Sequence, residues 1–117
     1  MATIIDLALA KHSVHEYEHQ NSSAGGPGLL TPDGQFLKGY FLDRESLEAL
    51  LSNPKVAGIS LLFAKDLNFV GQPENVFTLI FAGAEPNNES SAKAPYKNIG
   101  DIYCAPPPCP PICMKLG

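Results

Sequence analysis

Residues 56–83 restrict the fold more than any other part of the chain. Two apolar runs, Val56–Ala64 and Asn75–Gly83, flank a polar linker that contains Gly71 and Pro73. Runs of this length, rich in Val, Ile, Phe and Thr and separated by turn formers, predict an antiparallel strand pair. In the first strand Ile59, Leu61 and Phe63 point one way, while Leu62 and Ala64 point the other. A strand apolar on both faces calls for cover on both, which a single small helix cannot provide.

The flanking segments complete an α+β reading. Leu7, Ala10, Val14 and Tyr17 recur at three- and four-residue spacing, which predicts an amphipathic helix over residues 4–19 with an apolar stripe. The Gly- and Pro-rich segment 21–28 ends it. Thr31–Gly34 is a turn, and Gln35–Leu42 predicts a short strand with a bulge at Gly39. Asp43 is suited to N-cap a helix from Arg44 to Ser52, with Glu45 at the positive end of the dipole. Leu42 and Leu47 have the spacing of a hydrophobic staple, and Leu47, Leu50 and Leu51 form the buried stripe. Asn53-Pro54 stops that helix. Residues 85–95 read as a surface loop and Ile99–Tyr103 as a short edge strand. The expected architecture is a three- to four-stranded, largely antiparallel sheet with two helices in one domain over residues 1–103. A Pro/Cys-rich tail follows over residues 104–117, too Pro-dense for a helix or an inner strand.

Charge and hydropathy exclude several function classes. A net charge of −4, with eight scattered Lys and Arg, is the wrong footprint for nucleic acid. No run approaches the ~20 apolar residues that span a bilayer. The start, with Asp6 interrupting its apolar run, lacks the basic region of a secretory signal, so the cytoplasm is the expected location. Non-classical export or assembly on a surface is the alternative. Gly25–Gly28 lacks the Lys-Ser/Thr of a phosphate loop, and Asp43, Glu45, Asp66 and Glu74 are explained by caps and turns.

Two clusters carry metal-capable side chains. Cys104, Cys109 and Cys113 place three thiols in ten residues, stiffened by five prolines between them. They suit zinc or another thiophilic metal, or a disulfide between chains, although no Cys-x-x-Cys step is present. An odd count without an export signal argues against a disulfide framework within the chain. His12, His15 and His19, with Glu16, share the polar side of the first helix; His15 and His19 have the i, i+4 spacing that can chelate zinc, but the His-Glu-x-x-His pattern is absent. A polar face opposite an apolar stripe is usually just solvated, which accounts for them without a metal. No cofactor is required by any of this.

The order of helix, strand–helix unit (Gly39–Asp43 into Leu47–Leu51), Val56–Ile59 strand, Ala82–Asn88 segment and terminal Cys109-Pro110-Pro111-Ile112-Cys113 resembles a family of small uncharacterised proteins common in Bacteroidetes-type bacteria. The resemblance implies a fold and no reaction; Cys104 and the Pro106–Pro108 run depart from that family's pattern. The functional expectation is a non-enzymatic structural module that forms homo-oligomers or docks on a protein partner through its sheet and Cys-Pro tail. A metal-binding or redox protein using the three cysteines is the alternative, and a carrier of a modifiable Cys tail is the third.

Overall fold

The structure, a computed structural model, describes residues 2–89 and 93–117. It is an α+β fold with two helices and two antiparallel sheets. Helix α1 spans Leu7–Ser22, β1 Gly39–Tyr40, α2 Arg44–Leu51, β2 Gly58–Lys65, β3 Phe77–Pro86, β4 Tyr96–Cys104 and β5 Pro108–Cys109. No helix of the described residues is long and apolar enough to cross a membrane.

The predicted strand pair forms as expected. β2 and β3 run antiparallel with Leu61 opposite Phe81 and Phe63 opposite Leu79. β4 adds to the other side of β3, giving a meander in the order β2-β3-β4. The edge strand expected over Ile99–Tyr103 is longer, because its pairing continues past a bulge. Gly83 opposes Ile99 and Ala82 opposes Ile102, so Gly100 and Asp101 are extra. Gly100 has φ +77°, a conformation a side chain would resist. Of the expected 85–95 loop only Glu85 and Pro86 are strand, at the end of β3; residues 87–89 and 93–95 form the connection to β4, and residues 90–92 lie outside the described residues.

Helix α2 follows its local signals. The Asp43 carboxylate accepts from the Ser46 N–H at 2.9 Å and the Ser46 hydroxyl at 2.8 Å. These bonds hold its carboxyl below the ordinary carboxylate range, because they favour the ionised form. Only part of the expected stripe is buried: Leu50 is in the core, Leu47 half-buried and Leu51 exposed. Leu50 meets the sheet face that carries Leu79 and Phe81, where Phe81 stacks on Tyr103 with ring centroids 5.4 Å apart.

Helix α1 departs from expectation. It begins three residues later, because Asp6 caps it by accepting from the Leu9 N–H at 2.7 Å. It also runs to Ser22, and its apolar stripe does not join the core: Leu7, Val14 and Tyr17 stay exposed. The helix is held at its C-terminal end. Asn21, 2% exposed, accepts from the Leu29 N–H at 2.8 Å. Its amide donates to the carbonyls of Leu29 (3.3 Å) and Leu37 (3.2 Å). The Tyr17 hydroxyl also donates to Leu37 O, at 3.0 Å.

The strand expected over Gln35–Leu42 shrinks to the two residues of β1, and it pairs with the tail rather than with the main sheet. Gly39 opposes Cys109 and Tyr40 opposes Pro108. Outside the pair, the Lys38 N–H donates to Cys109 O and the Phe41 N–H to Pro107 O. Proline can accept in such a ladder though it cannot donate, so a Pro-rich segment fits here as a short edge partner.

Candidate functional site

The tail cysteines do not stand as three free thiols. Cys109 and Cys113 are joined within the chain, their Cα atoms 4.8 Å apart, which corrects the expectation that no intramolecular bridge would form. The reason is local: the Ile112 N–H donates to Pro108 O at 3.0 Å, closing a turn that brings the two sulfurs together. Cys104 is free and exposed at the last residue of β4. A disulfide sulfur is not a thiolate, so in this oxidised form one thiol is left for metal or cross-linking chemistry.

The histidines stay on the solvated side of α1. His12 Nε2 lies 3.8 Å from Glu16 Oε2, an exposed i, i+4 pair. His15 and His19 flank a shallow depression near Phe36 and Lys38. Among the described residues no three His, Cys, Asp or Glu side chains converge as a metal ion would need.

What the sequence placed without interpreting is an open sheet. α2 covers one face, where Leu50, Leu79 and Phe81 are buried. The other face carries Leu62, Ile80, Ile102 and Tyr96, with Leu62 61% and Ile102 60% exposed. They border a shallow hollow of about 440 Å³ floored by Ala82 and Ala84. Among the described residues β2 is also a free edge. The Asp66 N–H donates to Val76 O. By the alternation of an antiparallel ladder, the even residues of β2 then bond to β3, while Ile59, Leu61, Phe63 and Lys65 turn their N–H and C=O groups outward. On this edge Leu61 is 47% and Phe63 86% exposed. Between Gly58 and Ala64 it has no charge and no proline, the usual guards of an edge strand.

A second apolar feature lies where α1, β1 and the main sheet meet. Tyr17, Leu37, Tyr40, Phe63 and Phe77 line a cleft of about 510 Å³. The Tyr40 hydroxyl donates to Phe77 O at 2.7 Å. Burial, and then the nearby Tyr17 and Asp66, push its pKa up to about 12, and burial raises that of Tyr17 as well. Sequence patterning could not assemble this cleft, since its walls come from four separate elements.

Comparison with known proteins finds no matching family model, curated protein or solved structure.

Proposed function

We propose that this chain is a non-enzymatic interaction module that self-associates through the open edge and bare face of its three-stranded sheet. The observation that carries this reading is the β2 edge, where Leu61, Leu62 and Phe63 stand exposed beside outward-facing backbone groups. Their exposed fractions add up to about two whole side chains per copy. At ~1.5–3 kcal/mol for each fully buried apolar side chain, covering them in both copies yields roughly 6–12 kcal/mol. That is comparable to the ~4–15 kcal/mol cost of association, so ladder hydrogen bonds and the Ile102 side of the sheet decide the balance. An uncharged antiparallel edge is self-complementary about a two-fold axis, since no like charges meet between Gly58 and Ala64.

The tail contributes differently from the expectation. Its Cys109–Cys113 bridge clasps it to β1, which leaves exposed Cys104 as the thiol for a covalent tie between copies or to a partner. A disulfide persists in oxidising surroundings, which supports the surface-assembly alternative over a cytoplasmic location.

Analytical ultracentrifugation from low micromolar to several hundred micromolar tests the proposal. Wild-type protein with Cys104→Ser is expected to pass from monomer to dimer across that range, and Leu62→Lys to remain monomeric throughout. A wild-type protein monomeric at every concentration removes the reading.

The Cys109–Cys113 bridge beside a free exposed thiol favours a second reading, thiol–disulfide chemistry in the tail. Mixed-disulfide trapping of a partner by Cys109→Ser or Cys113→Ser protein, absent from the Cys104→Ser control, would support it. A bridge inert to small thiols would remove it.

A further inference from the structure

We propose that the cleft between α1, β1 and the main sheet is a binding site for a small aromatic carboxylate. It does not involve the tail thiols, and it shares only Phe63 with the sheet edge. Its volume of about 510 Å³ falls in the range of small-molecule sites, ~300–1,000 Å³. It is more than a packing defect, because hydrogen bonds pin its walls apart. Tyr17 is fixed to Leu37 O, Tyr40 to Phe77 O, and Asn21 to both Leu29 and Leu37. Collapse would break these bonds in a partly buried place where water replaces them poorly.

The chemistry of the lining selects the ligand. Four rings, those of Tyr17, Tyr40, Phe63 and Phe77, face a space with little polar surface, and offset or edge-on stacking with an aromatic body fits such walls. Both tyrosine hydroxyls already donate to backbone carbonyls, so neither is free to hold a polar group in the interior. The one charged lining residue is Lys38, which is exposed and forms no ion pair among the described residues. Lys65 adds a second positive charge nearby, its Nζ 5.4 Å from the centre of the Phe77 ring. The nearby carboxylate, Asp66, is buried and accepts from the Asn68 N–H at 3.0 Å. An apolar body in the cleft with an anionic end toward Lys38 satisfies every group present.

Isothermal titration calorimetry with naphthalene-2-carboxylate, and with the neutral naphthalene-2-carboxamide as control, tests this. One saturable site per chain is expected, with the carboxylate bound about two- to fivefold more tightly than the amide, the effect of one exposed charge pair. Lys38→Glu should remove that preference, and Phe63→Ser should weaken both ligands about fivefold or more, as loss of one stacking wall implies. Both residues are exposed, and unchanged thermal midpoints will show that the variants fold. Leu62→Lys, on the opposite sheet face, should leave binding intact even where it abolishes dimerisation. No saturation at millimolar ligand, equal binding of acid and amide, or binding unaffected by both cleft variants overturns the proposal.

Discussion

Asn21 is the residue whose removal has the most calculable effect. It is an amide at the end of a largely exposed helix, yet it is almost fully buried and bonds twice as donor and once as acceptor to backbone. In Asn21→Ala the two carbonyls keep other partners: Leu29 O still accepts from the Leu37 N–H at 2.8 Å, and Leu37 O from the Tyr17 hydroxyl at 3.0 Å. The Leu29 N–H keeps none among the described residues. One orphaned, part-buried donor costs ~1–3 kcal/mol, and two donor bonds lost from still-satisfied carbonyls add roughly 0.5 kcal/mol each, so the expected loss is about 2–4 kcal/mol. At roughly 4 °C per kcal/mol for a domain of this size, the midpoint falls by ~8–16 °C. Asn21→Asp sharpens the reasoning. It keeps the acceptor for Leu29 N–H but turns a carboxylate toward two carbonyls, so its folded-state pKa is raised above the unfolded value. The ionised form opposes folding, and the deficit relative to wild type therefore grows as pH rises through the carboxylate range. Urea unfolding of the three proteins at about pH 4 and pH 7 measures this. An Asn21→Ala protein within ~0.5 kcal/mol of wild type, the range of ordinary surface changes, would refute the account.

Three further outcomes follow from the packing. A Cβ at Gly83 would lie 2.8 Å from Val56 Cγ2, so Gly83→Ala is expected to cost about 1–3 kcal/mol and to be partly rescued by Val56→Ala, as a double-mutant cycle would show. The Tyr40 phenol, pushed up to about 12, should give a step well above the ordinary tyrosine value in an ultraviolet titration, and Tyr40→Phe should remove that step. Because its folded pKa is raised, the stability linked to Tyr40 is complete below the ordinary value near 10 and is lost as pH climbs from there toward 12. Opening the Cys109–Cys113 bridge with Cys113→Ser should lower stability by roughly 2 kcal/mol, the loop-entropy value for so short a closure, and speed exchange of the Lys38 and Phe41 amides that donate to the tail.

The parts of the fold that sequence made legible are those whose causes are local. Asp43 caps α2 through the N–H three residues on, and the β2–β3 pair is announced by two apolar runs and a short linker. Asp6 carries the same capping chemistry as Asp43, but it stands inside an apolar run, where hydropathy masks the cap. What stayed hidden depends on distant partners. Spacing alone cannot tell that the stripe of Leu7, Val14 and Tyr17 stays in solvent, because that depends on where Asn21 fastens the helix. β1 has few residues and weak patterning, and its partner lies seventy positions away at Cys109. An odd cysteine count says nothing of the tail bridge, which depends on a turn closed by one backbone bond that brings the two thiols together. The double-sided apolar character of β2 was readable; that its second side lacks cover in one copy was not.

The pairing of β1 with β5 sets a timetable for synthesis. The meander from Gly58 to Cys104 joins neighbours in sequence and can form as each strand leaves the ribosome. β1 emerges before all of it, yet its partner β5 emerges only after all of it. Until residue 109 is out, the Lys38 and Phe41 amides lack the carbonyls they bond in the finished protein. The β1 segment therefore waits on residues 107–109, and a chain stalled after β4 would carry a completed sheet beside an unpaired β1.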